Sequence, residues 1–477
     1  MNLNIKQPPS LRIFFATEMW ERYGFYVVQS LLALYMALHF QWDDKRVYAL
    51  VGSFTAMTYL SPIVGGWIAD HLLGQKRTIV AGTFFLFISY ILLAIVTSDL
   101  GLITALAGVA VGTGMLKPNI SSLLGNEYPI DSPKRESGFT IFYMGITTGI
   151  ILGTTLPSQL TTYYGWPVSF ASAAFGMVIA FSVFVFGVKR YNITDYHPFE
   201  CHLVNYIQAT LLMGFLWVVS FCILYYPRLA DASFMLVVVL SLAYLVMTAR
   251  QETGKQARQT IVIGLLCIIS VMFWAFYFQM FLSLTLFLSR VVEPRLFGIL
   301  FPAPYYVGMQ SAGMLIFGFF LARRKPKLNG QQNGISTANK FLLAMIFMIM
   351  AYGLITFVCH SSHATTLLSP LLFIPAYLLI SVAELLLSPV GLAAITVLAS
   401  RRKVSTMMGI FFVSLGLGGF LSGKLAALTA INPDLPLLDL KSHYTDTFTE
   451  LLIILVVATV FCLILNMVIK KLLTSPD

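Results

Sequence analysis

EMWERYGFY, Glu18 to Tyr26, interrupts a run that otherwise reads as hydrocarbon, with FFAT before it and VVQSLLALYMALHF after it. The run is long enough to cross a bilayer as a helix, which takes about 20 apolar residues. Three charges, Glu18, Glu21 and Arg22, lie inside it. At a helix centre each costs about 2.5 to 3.5 kcal/mol on insertion scales, so they must face the protein interior rather than lipid. The spacing agrees, because 18 to 21 is i+3 and 18 to 22 is i+4, which places all three on one helical face. A carboxylate beside a cation stays ionised, whereas one buried without a partner holds a proton more readily. Two carboxylates around one guanidinium therefore form a cluster able to take up and release a proton, and a structural ion pair locking packed helices is the rival explanation.

The rest of the chain fits the same solvent. Of 477 residues, 58% are hydrophobic and only 10% charged, against about 25% charged in soluble domains. The class is an all-α integral membrane protein. The formal net charge of +10 reflects basic loops, since no Lys/Arg-rich tract with interleaved aromatics points to nucleic acid. Cys201, Cys222, Cys267, Cys359 and Cys462 are scattered in or near apolar runs and suggest neither disulfides nor a zinc site. MNLNIKQPPSLR leads into a long apolar segment with no small-residue cleavage site, which argues against a removable signal peptide.

Fourteen apolar stretches qualify as spans, at about 12–39, 47–70, 78–97, 100–122, 138–163, 166–188, 203–226, 232–249, 259–289, 298–322, 339–359, 368–399, 405–430 and 450–472. With both termini in the cytoplasm, the inside segments hold Lys6, Arg12, Lys76, Arg77, Lys134, Arg135, Lys189, Arg190, Arg250, Lys255, Arg258, Arg323, Arg324, Lys325, Lys327, Lys340, Arg401, Arg402, Lys403, Lys470 and Lys471. Outside loops then hold only Lys45, Arg46, Arg228, Arg290, Arg295 and Lys441, an asymmetry that fixes the expected orientation.

Further charges sit within spans. Lys117 lies in GTGMLKPNIS, where Gly112 and Gly114 permit close packing and Pro118 disturbs the helix; snorkelling to the surface is its plainer explanation. Glu384 lies in AYLLISVAELLLSPVG just before Pro389 and attracts either an ammonium group or a proton. A cation and a carboxylate in opposite halves suit a zwitterion. Lys424, near the outer end of its span, is expected to snorkel.

Six spans, an inserted pair and six more spans resemble the major facilitator architecture, in which substrate is held near the midplane between two bundles. The expected domains are 1–190, 191–257 and 258–477. GGWIADHLLGQKR, Gly65 to Arg77, is similar to that superfamily's loop between helices 2 and 3, with Gly65 and Gly66 permitting close helix approach, and ARRKPK (322–327) is a weaker echo in the second half.

Individual motifs narrow this. Glu18-Met-Trp-Glu21-Arg22-Tyr23-Gly24-Phe25-Tyr26 resembles the E-x-x-E-R-[FY]-x-Y-Y signature of the proton-dependent oligopeptide transporter (POT/PTR) family. Gly112 to Ser121 resembles its G-T-G-x-x-K-P-N-x-S segment, Phe142 to Gly149 its F-Y-x-x-I-N-x-G, and Glu384, Ser388, Pro389 and Gly391 its E-x-x-x-S-P-x-G. The resemblance, closest to bacterial members, implies a symporter for di- and tripeptides driven by the proton gradient, in the inner membrane, with no cofactor or metal. A monomer whose partners are a zwitterionic solute, protons and lipid is expected. By the same resemblance Glu18, Glu21, Arg22 and Lys117 couple protons. Tyr26, Tyr59 and Lys117 line the peptide site with Gln29, Thr147, Phe278, Gln279 and Ser388, and Glu384 holds the peptide's amino terminus.

The chain also departs from the pattern. Gln29 stands where many members carry Arg, and Phe278 and Gln279 where they carry a carboxylate that pairs with it as an outer gate. Closure is then expected to rest on packing and neutral hydrogen bonds. Thr147 and Phe301 replace family asparagines, which leaves a symporter of another small organic solute as the alternative. An enzyme or ATP-driven pump is disfavoured: GGFLSGKL has the G-x-x-x-x-G-K core but Leu425 where Ser or Thr would bind magnesium. No hydrolase or zinc motif is present, and His197, in YHPFECH, has no flanking ligand set.

Overall fold

The computed structural model describes residues 7–129, 132–195, 201–322, 333–361, 366–400 and 403–474. Lys6, His197, residues 323–327 of the ARRKPK segment, Arg401 and Arg402 lie outside the described residues. The helices are α1 (Leu11–Leu38), α2 (Asp44–Ile68), α3 (Gln75–Ile95), α4 (Asp99–Asn126), α5 (Pro133–Tyr164), α6 (Trp166–Tyr191), α7 (Leu203–Tyr225), α8 (Pro227–Gln251), α9 (Gly254–Tyr277), α10 (Ser283–Val291), α11 (Pro304–Ala322), α12 (Asn333–Ser361), α13 (Ile374–Leu398), α14 (Val404–Ala426) and α15 (Leu437–Thr474). A 3₁₀ turn at Phe278–Phe281 joins α9 and α10 into one span, Gly254–Val291. Counted once, it gives the fourteen membrane helices expected. Twelve spans are long and apolar enough by composition alone; α1 is not among them because its three charges sit mid-span.

Several boundaries depart from the hydropathy pattern, two of them with a plain physical cause. α11 begins at Pro304 rather than near 298, because β1 (Arg295–Leu296) and β2 (Ile299–Leu300) pair as a hairpin first. Its turn residues, Phe297 and Gly298, both have left-handed backbone, with φ of 51° and 80°. That is the turn whose twist matches antiparallel strands. α15 begins at Leu437, well before 450, since a helix can extend beyond the hydrocarbon with polar residues such as Lys441 and Asp446. At the other end of α2 the helix widens into a π-turn at Ala69–Leu73, closed by Gly74 at φ 77°.

The chain forms two compact units, Met1–Tyr35 with Met57–Tyr226, and Met36–Ala56 with Pro227–Asp477. The inserted pair is divided between them, α7 in the first and α8 in the second. Within the first unit α3 packs on α4 and α6, and α4 on α7. A Cβ on Gly65 would lie 2.1 Å from the carbonyl oxygen of Gly114, so the expected close approach occurs at Gly65, whereas Gly66 faces open space. In the second unit α12 packs on α13 and α15, and α14 on α9. The first half of α2 lies directly on α14, where a Cβ on Gly52 would meet the Cα of Gly423 at 2.9 Å. Lys424 does more than snorkel, because its ammonium pairs with Asp231 of α8 at 2.6 Å.

Candidate functional site

The charged face of α1 is interior, as membrane energetics demand. Glu18, Glu21 and Arg22 are 2%, 0% and 4% exposed. The pairing differs from the spacing rule, however. Arg22 makes its two close hydrogen bonds to the adjacent Glu21, from Nη2 to Oε1 at 2.6 Å and from Nε to Oε2. Glu18, one turn back, is 3.5 Å from Arg22 Nε. Side chains at i and i+1 do not ordinarily face each other; here a planar fork satisfies one carboxylate bidentately. Glu18 Oε2 is buried and accepts no hydrogen bond among the described residues. The cluster thus has one saturated carboxylate and one with an oxygen to spare.

What holds α1 in place is a ladder of glycines on α5. A Cβ on Gly145 would meet the Phe15 carbonyl oxygen at 2.9 Å, on Gly149 that of Met19 at 2.3 Å, and on Gly153 that of Tyr23 at 2.6 Å. Glycine every fourth residue makes one helical face of bare backbone, against which another helix can lie at minimal distance. Gly149 also lies against Arg22 Cβ, so the ladder sets the guanidinium's position. The same spacing is periodic in the sequence FYMGITTGIILG, Phe142 to Gly153.

Lys117, on α4, points its ammonium over the Tyr59 ring at 4.5 Å from the centroid. That is a cation–π geometry, and among the described residues Lys117 makes no ion pair within 4.0 Å. Tyr26 is half-buried beside Phe25, with ring centroids 5.3 Å apart, and Gln29 is buried one turn on. Thr147 spends its hydroxyl proton on the Tyr143 carbonyl at 3.1 Å, the usual back-bond of a helical threonine.

In the second unit Glu384, on α13, receives two hydrogen bonds at Oε2, from the Tyr277 hydroxyl at 2.8 Å and from Gln310 Nε2 at 2.7 Å. Tyr277 and Gln310 were not singled out in the sequence, although a glutamine inside the apolar run of α11 is a legible signal. Ser388 lies one turn along α13 from Glu384 and is partly buried. Phe278 stacks on Trp274 at 5.3 Å. Gln279 is fully buried and bonds the Ala275 and Ser422 carbonyls at 3.1 and 2.8 Å while accepting from Ser283 at 2.6 Å. It occupies the 3₁₀ break, where carbonyls lose their regular helical donors. Phe301 packs its ring on Tyr306 at 5.0 Å.

The second unit also holds a buried ion pair. Asp44, in the first turn of α2, grips Arg290 of α10 through both oxygens, at 2.7 and 2.8 Å. The same arginine donates to the Tyr444 hydroxyl at 2.9 Å, and Ile431 N–H donates to Asp44 at 3.1 Å. Arg290, taken from the sequence as an outside-loop cation, is largely buried in a charge-assisted network.

Comparison with known proteins places this geometry in a family. Residues 76–435 match the model described as the POT family. The chain is 30% identical over 456 residues to dipeptide and tripeptide permease A of Erwinia pyrifoliae, covering 94% of this chain and 91% of that one. It is 29% identical to the permease A of Klebsiella pneumoniae, with 92% and 88% covered. Among solved structures it is similar to a peptide transporter, POT, in complex with alafosfalin, with 26% identity, a TM-score of 0.83, and 98% of this chain and 96% of that chain covered. It is likewise similar to tetrameric PepTSo2, with 26% identity, a TM-score of 0.84, and 97% and 99% covered. The family model spans most of the chain and the similar structures span nearly all of it, so the chain belongs to the POT family.

Proposed function

We propose that this chain is a proton-coupled symporter that imports di- and tripeptides, and that it sits in a bacterial inner membrane with both termini in the cytoplasm. It is a transporter, not an enzyme. The observation that carries the coupling is the asymmetry on α1, where Arg22 saturates Glu21 while Glu18 keeps a buried oxygen with no donor. In this scheme Glu18 takes a proton at that oxygen from outside. Arg22 then redistributes between the two carboxylates, and the proton leaves to the cytoplasm when the units exchange exposure by rocking. A proton gradient drives the cycle without a cofactor. A monomer is the proposed transporting unit.

Peptides differ in side chains but share a carboxylate and an ammonium. Lys117, beside Tyr59, is assigned the carboxylate, and Glu384, oriented by Tyr277 and Gln310, the ammonium. Tyr26, Gln29, Thr147, Phe278, Gln279 and Ser388 are assigned the neutral remainder of the peptide. Vesicles containing only this protein test the reading. Acidifying the outside should drive labelled dipeptide inward, unlabelled di- and tripeptides should compete, and free amino acids should not. Uptake indifferent to the imposed pH difference would reject the coupling. Competition by amino acids or organic anions in place of peptides would transfer the assignment to another solute.

A further inference from the structure

Away from the buried charges, the first unit has a cavity of about 500 Å³ between α3, α6 and α7. One end is basic: Lys76 and Arg77 come from the first turn of α3 and Lys189 from the last turn of α6. The remainder is apolar, with Phe84, Val185 and Met213 among its walls, and among the described residues neither Asp nor Glu lines it. Phe84 is eight residues along α3 from Lys76, so the apolar part extends roughly 12 Å into the span from the charged end. Tyr206, 42% exposed, stands at the same end on α7, as aromatic side chains do at the level of lipid headgroups.

Among the described residues, Asp195 lies at the same end and is engaged by backbone. Asp195 accepts the Lys76 backbone N–H at 3.0 Å and lies against Gly74, while the Lys76 ammonium donates to the Ile193 carbonyl at 3.1 Å. Arg77 reaches the Leu73 carbonyl and Cys201 sulfur at 3.3 and 2.8 Å. Lys189 has no hydrogen-bond or ion-pair partner among the described residues. Three cations thus meet at the mouth of an apolar groove that, among the described residues, no carboxylate lines. Any lipid-facing groove fills with acyl chains; a trio of cations at its mouth selects the headgroup.

We propose that this groove binds one anionic glycerophospholipid, with its phosphate at Lys76, Arg77 and Lys189 and an acyl chain along Phe84, Val185 and Met213. The test is native mass spectrometry of the full chain released from vesicles that contain equal parts of phosphatidylglycerol and phosphatidylcholine with identical chains. One phosphatidylglycerol should remain bound per chain, at least tenfold in excess of phosphatidylcholine. Lys189→Gln should cut that preference several-fold and Arg77→Gln/Lys189→Gln should bring it near parity, while Lys470→Gln at another basic helix end should leave it unchanged. Equal retention of the two lipids, or a preference untouched by Lys189→Gln, overturns the proposal. Glycerol 3-phosphate added in excess should not displace the lipid, and displacement by it would mean that the cations bind free phosphate instead.

Discussion

Both units bury carboxylates against arginine, and they do so to opposite ends. Asp44 in the second unit is saturated by both terminal guanidinium nitrogens of Arg290, Nη1 and Nη2, and by the Ile431 N–H. On α1 one arginine serves two carboxylates, and Glu18 Oε2 is left without a donor. A saturated buried pair has no reason to exchange partners, and breaking it leaves a stranded charge. An over-supplied acid gains a partner by taking a proton. Satisfaction thus separates a fastening from a working group, although both contain the same side-chain types.

The sharpest way to break the comparison is Glu21→Gln, which removes the carboxylate that occupies Arg22. Gradient-driven accumulation should fall to background, while exchange of labelled for unlabelled peptide, which needs no net proton movement, should persist. Concentrative uptake retained by this variant would place the coupling elsewhere. Next in size is Asp44→Ala, which strands Arg290 and should destabilise the protein by about 3–5 kcal/mol, read as a fall in unfolding temperature in detergent; a loss under 1 kcal/mol would mean the network is not a fastening.

Three further substitutions sharpen it. Gly149→Ala places a methyl group 2.3 Å from the Met19 carbonyl and should cost roughly 1–3 kcal/mol through overpacking. It should slow proton-driven uptake more than exchange, because the added methyl also crowds Arg22. Glu384→Gln should weaken binding of peptides with a free amino terminus by about tenfold, near 1.4 kcal/mol, at the lower edge of what hydrogen bonds to charged groups contribute. Amino-blocked peptides should be unaffected, and equal loss for both would remove Glu384 from terminus recognition. Smallest is Lys424→Gln, whose half-exposed pair with Asp231 should contribute about 0.2–1 kcal/mol to thermal stability.

The fold was legible because each span must hide its own backbone polar groups, which leaves an unmistakable apolar run. Helix ends were less so. Hydropathy stops at the hydrocarbon edge whereas α15 continues past it, and the hairpin before α11 depends on two left-handed residues that no apolar count detects. The α1 cluster could be found because three charges share one turn and a half of helix. Its internal pairing could not, since the spacing favoured Glu18 and the packed geometry chose Glu21. Asp44 and Arg290 are separated by 246 positions, and nothing local to either residue announces the other. The Gly145, Gly149 and Gly153 ladder was plainly periodic, but its meaning depended on which helix it faced.

The hairpin at Arg295–Leu300 has a mechanical corollary. Two paired strands with a two-residue tip have almost no slack, unlike a coil of the same length. The hairpin ties the Arg290 end of α10 to the start of α11, the helix whose Gln310 donates to Glu384, so the rim of the unit and the carboxylate in its interior share one short connection.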